Sequence, residues 1–291
     1  MKKSKTKAKK EPRKKFLLEL GTIFTGGFYE FQKARIKAYN RVRNIIFRKA
    51  TGLDLSQVQD KKKEKEYLKE YADKELQKHA NKLEKQGKLT AQEKKFLDKM
   101  FTLLEDVEKK ESEYKKEVEK IIMNEPIWTG FLQHIKGIGP LITAMLLYYF
   151  GYCEKAEYPS NLWSFAGLTP NSKYVKGESS GFNKNLRMYC WRISDSFIKQ
   201  RTPRYRPIYD AEKARQLKLI ENKAENAPTR PGHAEKRARR KMVKFFLSDL
   251  YRVCKHLTGQ PQSKPFVIDK LKHHHFDDIL VYLKKLKARK P

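Results

Sequence analysis

Apolar positions recur at helical spacing along most of this chain, and where that spacing breaks there is a glycine, a proline or a polar loop. From Phe28 to Ala50, Phe31, Ala34, Ala38, Val42, Ile45 and Ile46 repeat at helical steps while Lys33, Lys37, Arg41, Arg48 and Lys49 lie elsewhere on the cylinder. This predicts a basic amphipathic helix ending at Thr51-Gly52. Further on, Leu68, Ala72, Leu76, Ala80 and Leu83 form one stripe, and Gly87 interrupts it. Thr90-Ala-Gln-Glu93 is a capping box, after which Phe96, Met100, Leu103, Leu104, Val107, Tyr114, Val118 and Ile121 form a second stripe. Two long helices joined at Gly87 predict an antiparallel coiled-coil hairpin with arms on the order of 40 Å. It serves either as a dimerisation or partner-spanning arm or as a helical pair lying along the body of the protein.

Asn124-Glu-Pro126 ends the coil and restarts a helix that runs into Gly137-Ile138-Gly139. Leu132 and Ile135 precede this turn on one face, and Thr143-Ala144 and Leu147 follow at the spacing that packs a second helix on the first. The pattern is that of a helix-hairpin-helix, whose main-chain amides hold a nucleic-acid phosphate at a helix N-terminus. The competing reading is a tight turn between two core helices. A short helix over Tyr158 to Ala166 is stopped by Gly167 and Pro170, and the loop Asn171 to Gly181 carries Ser172, Lys173, Lys176, Ser179 and Ser180. Asn183 can cap the next helix, which buries Leu186, Tyr189, Cys190, Ile193 and Phe197 and turns Lys184, Arg187 and Lys199 outward. A charged helix follows from Ile208 to about Asn222. The last long helix, His233 to Leu257, points Met242, Phe245, Phe246, Leu250 and Val253 inward and sets Lys236, Arg240 and Lys244 in a row beside Arg237 and Lys241. Such a row matches a strand of phosphates, or is simply a solvated face.

The fold class is therefore all-α, a long coiled-coil hairpin plus a helical domain containing the helix-hairpin-helix. The predicted divisions are a disordered basic arm over 1–20, a basic amphipathic region over 21–58, and the coiled coil over 59–124. The hairpin domain over 125–258 and a tail with a short helix over 259–291 complete the chain.

Charge narrows the partner. The 66 Lys and Arg against 34 Asp and Glu leave a net +32, which calls for a polyanion. DNA comes first, with structured RNA as the other nucleic acid. A membrane is not expected, because the longest apolar run, near Leu141 to Phe150, is far below spanning length. The expected location is cytoplasmic and nucleoid-associated. Cys153, Cys190 and Cys254 have no paired spacing and read as reduced core residues. His273, His274 and His275 stand before Asp277 and Asp278, but three adjacent histidines cannot face one ion from a helix, so no metal site is assigned.

Three ordered motifs, Ile135-Lys-Gly-Ile-Gly-Pro-Leu-Ile-Thr-Ala144, Phe165-Ala-Gly-Leu-Thr-Pro170 and Gly181-Phe-Asn-Lys-Asn-Leu-Arg187, resemble the C-terminal domain of bridge-RNA-guided insertion-sequence transposases, the IS-one-ten family. Lys176-Gly-Glu178, Ile193 to Gln200, Tyr209 to Lys213 and Gly232 to Arg240 are most similar to archaeal members, and the likeness spans Ile127 to Leu257. The resemblance implies a serine nucleophile that joins DNA through a phosphoserine, working with four metal-binding acids of an N-terminal RuvC-like domain. No counterpart of that acidic domain is seen: before Asp54 there is no Asp, and the only Glu residues are Glu11, Glu19 and Glu30. Mg would thus enter only with a RuvC-like partner protein, and this chain supplies no cofactor site of its own. The family's nucleophile sits in a Ser-Gly step soon after the Gly-Leu-x-Pro motif; at that distance this chain has Ser172-Lys173, and its only Ser-Gly step is Ser180-Gly181, which makes Ser180 and its neighbour Ser179 the catalytic candidates, with Ser172 behind them.

The resulting expectation is a transposase-related protein that grips nucleic acid through Lys136, Gly137, Ile138, Gly139, Lys176, Lys184, Arg187, Lys236, Arg237, Arg240 and Lys244. Two rivals stay open. One is an active recombinase assembled with a RuvC-like partner; the other is a coiled-coil scaffold, a homodimer through the coil, that binds RNA nonspecifically.

Overall fold

A computed structural model describes residues 13–170, 172, 177–263 and 279–288. These are helical or irregular, with no strand among them, and no helix of theirs is long and apolar enough to cross a membrane. The basic arm through Pro12, Lys176 and the His273–His275 and Asp277–Asp278 group lie outside the described residues. Helix α1 (13–21) runs through π-wound turns (Thr22–Tyr29) into α2 (Glu30–Thr51). Then come α3 (Lys61–Glu70), α4 (Leu76–Lys85), α5 (Ala91–Met123), α6 (Pro126–Gly130) and α7 (Pro140–Phe150). After them follow α8 (Pro159–Phe165), α9 (Lys184–Lys199), α10 (Arg206–Glu221), α11 (Pro231–Thr258) and α12 (Ile279–Ala288). The chain divides into two compact units, Leu18–Val118 and Met1–Leu17 with Glu119–Pro291.

In the Leu18–Val118 unit, the apolar face read from the sequence becomes a shared core. Ala38, Val42, Ile46 and Phe47 of α2 pack with Tyr71, Leu76, Ala80 and Leu83 and with Leu97, Met100 and Leu104 of α5. Gly52 closes α2 in the left-handed conformation, and the Thr90–Glu93 capping box forms at the start of α5, with the Glu93 N–H donating to Thr90 Oγ1 at 3.2 Å. The first predicted arm, however, is not one long helix. Ala72 is extended (φ −63°, ψ 153°) between α3 and α4. The cause lies in α2: Tyr71 is buried against the Phe47 ring, and its carbonyl accepts from Arg43 Nε at 2.9 Å, which takes that carbonyl out of a helical ladder. Leu68, a member of the predicted stripe, stays exposed in consequence. The Arg35–Glu111 ion pair at 2.6 Å and Lys49–Glu93 at 2.7 Å add further ties between α2 and α5.

The second unit is built around α11, which buries Ala238, Met242, Phe246, Leu250 and Cys254 on one side. Against it lie α6, α8, α9, α10 and α12, with α10 as its most extensive neighbour. Phe197 and Tyr205 stack at 4.7 Å, and both meet Phe246 edge-on. Beside this cluster Arg204 Nε donates to Asp249 Oδ2 at 2.7 Å and the Tyr205 hydroxyl donates to the same oxygen at 2.9 Å. The pair is almost sealed, with side-chain exposures of 7% and 9%. Along the α10–α11 seam Glu212 accepts from Arg215, Gln216 and Lys241. Burial raises its pKa, but these three donors outweigh burial and pull it down to about 2.

Two outcomes are expected. Asp249→Ala removes the carboxylate that Arg204 and the Tyr205 hydroxyl share in the core and lowers the unfolding free energy by about 3–5 kcal/mol in urea denaturation. The Glu212 links stabilise fully above the ordinary carboxylate value of 4.5 and are lost as pH falls through about 2. Glu212→Gln therefore flattens the melting temperature against pH across that window.

Candidate nucleic-acid interface

Two helices with matching charge patterns face each other in the second unit. On α9, Lys184, Arg187, Met188, Trp191 and Ser194 fall at i, i+3, i+4, i+7 and i+10. On α11, Lys236, Arg239, Arg240 and Val243 repeat the first part of that spacing. These faces line a cleft of about 410 Å³ together with Gly167 and Leu168. Five cations thus line one cavity.

The start of α9 is fixed by its own sequence. Asn183 Oδ1 accepts from the Leu186 N–H at 2.9 Å, and the Asn183 N–H donates to the Phe165 carbonyl at 2.9 Å. Gly167 sits at φ +66°, and a Cβ there would lie 2.5 Å from the Phe182 ring, so only glycine permits α8 to turn back toward α9. Arg187 lies over Phe182 at 4.8 Å and donates to the Ser172 carbonyl at 3.1 Å.

The cations differ in what already holds them. Arg239 is engaged: it donates to Glu235 at 3.0 Å and lies over the Trp191 ring at 4.4 Å. Among the described residues no carboxylate lies within ion-pair distance of Arg187, Lys236 or Arg240. Burial, then the charges of Arg187 and Arg237, depress the pKa of Arg240; burial and then Arg240 depress that of Lys244. The crowded charge disfavours this cluster until an anion relieves it.

Lys184, Arg187, Lys236 and Arg240, predicted from separate helices, therefore meet in one cleft. Lys244 stands one turn beyond Arg240, with Nζ 5.2 Å from the centre of the Trp163 ring. Arg237 is turned the other way, donating to Gln216 at 3.0 Å and to the Asn226 carbonyl at 2.8 Å, where it braces α10. The i+1 offset from Lys236 swings it about 100° round the helix, beside the row and not in it. Arg239 and Trp191 were missed in the sequence. Their register places Arg239 on the face of Lys236 and Trp191 on the face of Lys184, but spacing along each helix does not say that the two faces meet.

The Gly137-Ile138-Gly139 turn stands apart from the cleft. Its leading segment is α6 and one 3₁₀ turn, Leu132–His134, rather than a long helix, because Phe131 leaves helical geometry to bury its ring against Phe246. Gly137 has φ +97°, Ile138 is buried, and Gly139 caps α7 with extended backbone. Ser196 Oγ donates to the Gly137 carbonyl at 2.7 Å, and Thr202 Oγ1 donates to that of Lys136 at 2.7 Å. The turn is thus clamped to the C-terminal end of α9, about 140° round the helix from Trp191 at 100° per residue. No hydrogen-bond partner is found among the described residues for the N–H groups of Gly139, Leu141 and Ile142. The Lys136 side chain is exposed beside them.

Of the serines, Ser180 Oγ donates to the Phe182 carbonyl at 3.1 Å and so closes the turn before α9, while Ser179 is exposed. Ser172 Oγ shares a hydrogen bond with Thr169 at 2.7 Å. Among the described residues none of the three is hydrogen-bonded to a histidine or carboxylate that would act as base. Nor do three His, Cys, Asp or Glu side chains converge as a metal-holding group among the described residues.

Residues 130–209 match the family model described as Transposase IS116/IS110/IS902 family. This transposase-like stretch takes in the Gly-Ile-Gly turn, α7, α8 and the whole of α9, and supports a transposase-related function. It covers under a third of the chain, leaving α11 and the Leu18–Val118 unit outside the match. No curated protein and no solved structure matches the chain.

Gly137→Ala is expected to cost about 1–3 kcal/mol in urea denaturation, since alanine at φ +97° is strained and its Cβ would lie 2.8 Å from Ser196 Oγ. Unchanged stability would show that the turn is not held as described.

Proposed function

We propose that the chain is a transposase-related DNA-binding protein that holds phosphates in the cleft between α9 and α11. One observation carries this reading: Lys184, Arg187, Lys236, Arg239 and Arg240, drawn from two helices, line a single cavity. Phosphate is the anion that matches it, because arginine forks pair with phosphate oxygens bidentately and a strand of nucleic acid presents such oxygens in a row. The unbonded amides at the N-terminus of α7 offer a second phosphate seat on the same reading, with Lys136 beside them. Both sets of contacts address the backbone, so affinity is expected to vary little with base sequence. The family match supplies DNA as the expected polymer, since transposases act on it.

The test is binding of duplex DNA across a potassium chloride titration. With three phosphates neutralised in the cleft, affinity falls roughly 40-fold between 50 and 200 mM salt. Arg187→Ala and Arg240→Ala each weaken binding and reduce the slope of log K against log salt by about one. A flat salt response, or slopes untouched by both substitutions, would remove the cleft from the reading.

A further inference from the structure

The cleft carries more than phosphate binding needs. Its floor is apolar: Leu168, Cys190 and Val243 line it and are buried, with Met188 alongside. Trp191, the largest side chain lining it, remains 47% exposed. Its ring is already sandwiched from one direction by the Arg239 guanidinium at 4.4 Å, which Glu235 and Ser194 steady. The indole is therefore held in place before any ligand arrives. A duplex would leave the face of the indole unused, because its bases stack on one another and show only their edges in the grooves beside sugar and phosphate. An unpaired nucleotide uses all of it. The base can stack on the indole, its phosphate meets Arg187, Lys236 and Arg240, and about 410 Å³ is within the range that takes one small organic ligand.

We propose that Trp191 is a stacking platform for an unpaired base, and that the cleft takes single-stranded nucleic acid in preference to duplex. This rests on the cleft being the phosphate-binding site. Stacking of one base on an aromatic ring is sequence-tolerant, since every base has a π-face, and it adds to the cation contacts along the strand.

The experiment measures fluorescence anisotropy with labelled oligothymidylate of about 12 nucleotides, oligouridylate of the same length, and a duplex of the same length. The full chain is compared with Trp191→Ala, Trp191→Phe and Arg240→Ala. Expected is a loss of roughly tenfold in single-strand affinity for Trp191→Ala, less than about twofold for the duplex, and largely retained binding for Trp191→Phe, which keeps a ring beneath Arg239. The tighter of the two homopolymers shows whether the strand is DNA or RNA. Equal losses for strand and duplex, or none for the strand, overturn the stacking role. If Arg240→Ala weakens both polymers while Trp191→Ala weakens neither, phosphate binding stands and stacking falls. If Arg240→Ala weakens nothing, the cleft is not the phosphate site and the stacking proposal falls with it. Trp191 is half exposed, and matching thermal melts of the two Trp191 variants separate a binding loss from misfolding.

Discussion

The packing of α9 on α11 is the contact from which the candidate site follows. Phe197 meets Phe246 edge-on at 5.2 Å, with Tyr205 stacked behind, and Ile193 and Met242 are fully buried. Each large apolar side chain sealed this way contributes about 1.5–3 kcal/mol. That gain is what holds Arg187, Lys236 and Arg240 at close quarters despite their mutual repulsion. A cationic cleft of this kind is stable as a shape but unsatisfied as a charge distribution. The protein's net +32 is thus not merely a diffuse property of its surface. Part of it is focused where low-dielectric walls make it count most.

The same helix pair connects the cleft to the Gly137 turn. Through Ser196 and Thr202, the C-terminal end of α9 holds two carbonyls of that turn and so positions the first amides of α7. On the other side of α11, the buried Arg204–Asp249–Tyr205 group and Glu212 fix α10 and its preceding loop. Buried charges are costly unless every partner is met, so loss of a single partner from either group is destabilising. Arg237 belongs to this bracing set. It faces away from the cleft although it is adjacent in sequence to Lys236, which faces in.

In the Leu18–Val118 unit, the first stripe of the predicted coiled-coil hairpin is covered by α2 from within the chain. Leu76, Ala80 and Leu83 are buried with Val42 and Ile46 of α2, so a dimer formed through that stripe would have to displace α2. The hydrophobic surface is the same in either arrangement. What differs is that α2 is tethered and always present at high effective concentration, whereas a second copy is not.

Local pattern alone was enough to read the helical class, the end of α2 at Gly52, the capping box at Thr90, the cap at Asn183 and the inward residues of α9 and α11, except Phe245, which the structure leaves exposed. These depend on spacing within a few residues and on the chemistry of helix ends, which the chain carries in its order. It was also enough to pick out Lys184, Arg187, Lys236 and Arg240 as outward cations. Only the tertiary structure decided that these four converge, that Arg239 and Trp191 join them, and that Arg237 does not. Periodicity fixes a residue's angle around its own helix but carries no information on which other helix that angle meets. The break at Ala72 and the shortened helix before Gly137 have the same origin. Tyr71 and Phe131 each leave a helical path because a partner distant in sequence, Phe47 or Phe246, offers their rings a buried site.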